Sequence, residues 1–187
     1  MAPEAAKKEG GRAGFALHKD FKDFRPLLDR LDEAHELSAK SGATCLARFN
    51  GVRGGDHVLV VGTGVDKHGI DQLGASERLR RLGAAVAHKL HAEKVKEAVV
   101  YLDTFLVPAA KLTADATTAA YAFAEGAGLA LYKFDRHVSK DPKQKDKKDE
   151  HVPTITLVST DSARVTGYAN GVEQAHALLT GAFTCRD

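Results

Sequence analysis

The chain has 187 residues, 43% of them hydrophobic and 28% charged, with a formal net charge of +2. That length suits one domain with a self-standing core, and the ordinary globular mix excludes wholesale disorder and collagen-like repetition. So balanced a charge does not by itself point to nucleic acid or to a membrane surface. No apolar run approaches the roughly 18 residues of a membrane helix. The opening MAPEAAKKEGGRAG lacks the apolar middle of a secretory signal, so a cytoplasmic protein is expected. Cys45 and Cys185, the two cysteines, match no zinc or redox spacing. Cys45 lies in an apolar stretch and reads as a core thiol; a disulfide framework is not expected.

Residues 1–14, rich in Gly, Ala and Lys without a period, read as a flexible tail, and 15–187 as the single domain. A helix is expected from Asp23, which can cap it, with Pro26 in its first turn and Phe24, Leu27, Leu28 and Leu31 on one face; Ser41-Gly42 would stop it. Thr44–Phe49 reads as a strand closed by an Asn50-Gly51 turn. His57–Val61 is a short apolar run of the kind covered on both faces, ending at Gly62-Thr63-Gly64.

A second helix is expected over about Ser76 to Ala92. Leu79, Leu82, Val86 and Leu90 recur on its inner face, and Arg78, Arg80, Arg81 and Lys89 point elsewhere. Glu97–Leu102 reads as another buried strand. A third helix over about Ala114 to Lys133 would turn Ala119, Phe123, Ala127, Ala130, Leu131 and Phe134 inward, with Ala122, Gly126 and Ala127 allowing close packing on a sheet. Residues 139–151, charged and without apolar side chains, read as a surface loop. Thr154–Ser159 reads as a strand. A last helix would open at Asn170 or Gly171 and run to about Thr180, with Val172, Ala175 and Leu179 inward. Strands alternating with helices predict a three-layer α/β domain with a mixed, largely parallel central sheet.

The chemistry-bearing patterns are thin. Gly62, Thr63 and Gly64 follow a strand and could present backbone N–H groups to a phosphate, but the third glycine of a dinucleotide fingerprint is missing, and a tight turn is the plainer reading. His88 and His91 stand three apart on a helix without a third ligand at helical spacing, so a solvent-facing pair is expected rather than a metal site. Ser159-Thr160-Asp161-Ser162 places hydroxyls and a carboxylate after a strand. No G-x-S-x-G elbow surrounds them, and Asp161 and Ser162 read as capping or turn residues. In the lysine loop, Lys140, Lys143, Lys145, Lys147 and Lys148 are offset by Asp141, Asp146, Asp149 and Glu150. The loop holds no aromatic residue for stacking, so nucleic acid is not the expected partner.

Glu125–Ser139 (EGAGLALYKFDRHVS) resembles the end of the N-terminal domain in the leucine (cytosol) aminopeptidase family, which reads roughly E-G-x-x-L-x-x-Y-x-F-D-x-Y-K-S. Glu125, Gly126, Leu129, Tyr132, Phe134, Asp135 and Ser139 match; His137 replaces an aromatic residue and Val138 a lysine. Val58–Gly64 (VLVVGTG) is similar to the family's V-L-L-V-G-L-G strand and turn. Ser76–Leu90 and Glu97–Leu102 resemble the helix and strand that follow, and Gly171–Asp187 resembles the helix joining the family's two domains. The resemblance spans about 55–187.

It implies a macro-domain-like α/β sandwich that supports a homo-hexamer and shapes access to a separate catalytic domain. In the family that second domain holds two divalent ions, zinc or manganese, on a lysine and several carboxylates, some from an N-T-D-A-E-G-R motif, and releases N-terminal residues from peptides. Ser159–Val165 (STDSARV) echoes that motif without its glutamate, and Val61–Gly69 echoes the lysine-bearing segment without its D-S-G-G, so no catalytic or metal residue is carried over. This chain alone is therefore expected not to be an enzyme. The alternative is a stand-alone macro-like module binding ADP-ribose or a related nucleotide through Gly62, Thr63 and Gly64 and a loop at Thr166–Asn170. A third reading is nucleic-acid binding by the lysine loop.

Overall fold

In the computed structural model, residues 19–49, 57–63, 74–106, 112, 114–133 and 152–186 are described. A 3₁₀ turn over Lys19–Phe24 leads into α1 (Arg25–Glu33), with Pro26 in its first turn and Leu27, Leu28 and Leu31 buried. The helix covers its apolar pattern but is shorter than the distant Ser41-Gly42 stop suggests. Its cap position is Phe24, with no side-chain cap, rather than Asp23. It ends because His35 turns left-handed (φ 58°), which lets the Glu36 N–H reach the Leu31 carbonyl at 2.9 Å and the His35 N–H that of Asp32 at 3.0 Å. These are the paired bonds of a Schellman closure.

β1 (Thr44–Arg48) and β2 (His57–Val61) pair antiparallel, with Leu46 opposite Leu59. Side chains alternate across a strand, so this pair has two apolar faces. Cys45, Ala47 and Val58 pack with Leu27 and Leu31 of α1, whereas Leu59 and Val61 join the main core. The expected covering of His57–Val61 on both faces is therefore met. β3 (Glu97–Tyr101) and β4 (Thr154–Val158) pair parallel, Val100 opposite Leu157. Ala98, Val100, Ile155 and Leu157 face the core, but Val99 on the other face is 59% exposed, so β3 is not buried on both sides among the described residues. The fold is mixed α/β, and the described residues form two two-stranded pairs, one antiparallel and one parallel. Leu102, expected in the strand, opens a short 3₁₀ turn over Leu102–Thr104.

α2 (Ala75–Ala92), α3 (Ala116–Leu131) and α4 (Ser162–Arg186) supply most of the core, and α3 packs against both of the others. Leu79, Leu82, Val86, Leu90, Ala119 and Phe123 are buried there as their spacing predicts. Ala127 is buried too, and Ala130 and Leu131 are half-buried. The small residues of α3 serve a helix rather than a sheet. A Cβ added at Gly126 would sit 1.9 Å from the Arg80 carbonyl oxygen, and one at Gly83 would sit 2.1 Å from that of Phe123, so α2 and α3 touch backbone to backbone.

α4 begins eight residues before Asn170. Gly167 and Gly171, the latter a candidate opening of the helix in the sequence, lie inside it against α3: a Cβ at Gly171 would meet the Thr117 carbonyl oxygen at 2.3 Å. Ala175 is buried on this helix and Leu179 half-buried, but Val172 is exposed. Arg78, expected to face outward, is buried, and its guanidinium donates to the Thr63 carbonyl at 3.0 Å. The tail 1–14, the Asn50-Gly51 turn, Phe134 and the loop 139–151 lie outside the described residues.

Two substitutions test this packing. Gly126→Ala must push α3 off α2 and is expected to cost about 1–3 kcal/mol in urea unfolding, the usual range for overpacking. Lys94, held at φ 55° in the Schellman closure of α2, is a left-handed position that a side chain strains. Lys94→Gly should therefore stabilise the fold by roughly 0.5–1 kcal/mol.

Candidate functional site

In open α/β structures the carboxyl ends of parallel strands are where ligands gather. Here those ends carry one buried carboxylate. Asp103 stands in the 3₁₀ turn directly after β3 and is 4% exposed. Ser159 and Thr160 follow β4, so the parallel register brings them beside it. The Ser159 hydroxyl and the Thr160 N–H each donate to Asp103 Oδ2 at 2.7 Å. From the first turns of α4, Tyr168 donates its hydroxyl to Oδ1 at 2.6 Å and Arg164 its guanidinium at 3.1 Å. Arg164 and Tyr168 are four apart and so share one helix face.

The electrostatics follow from this geometry. Burial pushes the Asp103 carboxyl upward, but the bonds from Tyr168, Ser159, the Thr160 N–H and Arg164 outweigh it and hold the group below its ordinary value of 3.8. Tyr168 moves the other way: burial and then its bond to Asp103 keep the phenol protonated well above the ordinary tyrosine range. Both carboxylate oxygens are occupied by donors from the chain itself. The arrangement can hold a charge and lock α4 to the strand ends; it leaves Asp103 little capacity to accept a proton or to grip a cation.

The residues singled out in the sequence fall in several places. Ser159 and Thr160 join the Asp103 cluster. Asp161 caps α4, accepting the Ala163 N–H at 3.0 Å. Gly62 is occupied by the sheet end: its N–H donates to the Ala43 carbonyl and its carbonyl accepts the Gly42 N–H, both at 2.8 Å. That N–H is not presented to a phosphate. Thr63 accepts from Arg78, and Gly64 lies outside the described residues. Thr166–Asn170, expected as a loop for the nucleotide alternative, is helical within α4, where backbone N–H groups are spent on the helix itself. His88 is exposed, and Glu93 pairs with Lys89 at 2.6 Å rather than with a histidine. Among the described residues no three His, Cys, Asp or Glu side chains come together. Cys45 is half-buried, its thiol pushed up by burial and by the Glu36 charge; Cys185 is exposed, and both are free thiols. No described helix is long and apolar enough to cross a membrane.

Asp103, Arg164 and Tyr168 were missed from the sequence. The available signal was an aspartate ending an apolar strand, together with an Arg and a Tyr at i and i+4; it was hidden because the helix carrying them was placed too late.

The segment behind the family resemblance performs packing. Glu125 accepts two bonds from the Arg80 guanidinium, at 2.7 and 2.9 Å, beside the point where Gly126 meets the Arg80 backbone. Arg80 also pairs with Glu77. Tyr132, at the end of α3, stacks on Phe183 with ring centroids 4.1 Å apart, and the Arg186 guanidinium lies 5.3 Å from the Tyr132 ring, fastening the end of α4. Leu129 is exposed, and Phe134, Asp135 and Ser139 lie outside the described residues.

Fold and site together define an α/β domain whose buried carboxylate fastens its own elements. Residues 9–141 match the sequence profile described as the cytosol aminopeptidase family, N-terminal domain, and the chain belongs to that family, a metallopeptidase family. The match runs through α3 and ends before β4 and α4. No curated protein matches the chain.

Tyr168→Phe removes one charge-assisted bond and is expected to cost about 1.5–3 kcal/mol in denaturant unfolding. Asp103→Ala, which strands several donors, is expected to cost about 3–5 kcal/mol. A carboxyl titrating below its unfolded value stabilises fully above pH 3.8, and that contribution is lost as pH falls through the folded value. Asp103→Asn should therefore lower stability at neutral pH and flatten its decline in acid. A raised phenol has the opposite sense: Tyr168 contributes fully below pH 10 and loses its contribution as pH rises through its folded value. Unfolding series across pH for the wild type, Asp103→Asn and Tyr168→Phe check these slopes.

Proposed function

We propose that this chain is the non-catalytic N-terminal domain of a cytosolic two-metal leucyl aminopeptidase. In this reading residues 15–187 are one macro-like domain that helps to assemble sister subunits into a homo-hexamer and shapes access to the active site. The observation that carries it is the family match over residues 9–141, which includes the helix where Glu125 and Gly126 lock onto Arg80. Two divalent ions, zinc or manganese, belong to the separate catalytic domain, where such a pair activates a water and polarises the scissile carbonyl of a peptide. Neither a membrane nor nucleic acid is a partner in this reading.

Side-chain contacts support a layered sandwich. The β1–β2 pair is covered by α1 on one face and by the main core on the other. An aromatic series joins the two strand pairs: Phe21 meets Tyr101 of β3 edge-on at 4.7 Å, Phe24 lies 6.0 Å from Phe21, and Phe24 lies 4.8 Å from Phe49 beyond β1. We take the two pairs to be parts of one mixed central sheet.

The purified chain is expected to show no hydrolysis of leucyl-amide with added zinc or manganese, and joining a family catalytic domain after Asp187 is expected to give metal-dependent turnover. Turnover by the chain alone, surviving further purification, would overturn the assignment. Calorimetric titration with ADP-ribose should give no saturable heat; micromolar binding would favour the nucleotide module instead.

A further inference from the structure

We draw no further inference here: the strongest candidate, the apolar flank of α4 where Val165, Val172 and Leu178 stand exposed, together with exposed Leu129 on α3, carries nothing because nothing in the structure shows what covers it.

Discussion

A carboxylate taken out of water keeps its charge only if donors replace the solvent, and Asp103 meets that condition with groups from separate parts of the chain. Its own position is in the turn that follows β3. Ser159 and the Thr160 N–H come from the end of β4, and Arg164 and Tyr168 from α4. These donors converge only if β3 and β4 run parallel in the observed register and α4 starts at once after β4. The carboxylate thus specifies where α4 must begin and how it must be rotated.

The second constraint is steric. α3 lies between α2 and α4, and at both contacts a glycine removes the Cβ that would hold the backbones apart: Gly83 and Gly126 on the α2 side, Gly171 on the α4 side. Close approach increases dispersion contacts along the helices and draws the Arg80 guanidinium within reach of Glu125. The Tyr132–Phe183 stack then secures the far end of α4, so that helix is fastened at its start by charge, in its middle by small residues and at its end by aromatic overlap.

These constraints explain what the family resemblance measures in this chain. Glu125, Gly126 and Tyr132, matching residues of that motif, are each tied to a partner elsewhere in the fold. The motif records how α3 packs.

The helices α2 and α3 and the four strands among the described residues were legible in the sequence to within about two residues, because apolar side chains recur with the periods of helix and strand. The family was legible as well, since its motif is richer than amphipathicity requires. Where α1 stops was not, because a left-handed His35 is a local choice with no glycine to announce it. The start of α4 was hidden for a different reason: Asn170-Gly171 looks like a helix opening until α3 is set against Gly171. Arg78 read as pointing away from the core and Asp103 gave no signal, because burial of a charged group depends on donors and acceptors that are distant in the chain. The sequence by itself determined which segments are helix or strand and which family they belong to, since those are matters of local period and composition. Only the tertiary structure decided which strands pair, which glycines are contacts and which charge is buried, because each of these is a relation between residues far apart along the chain.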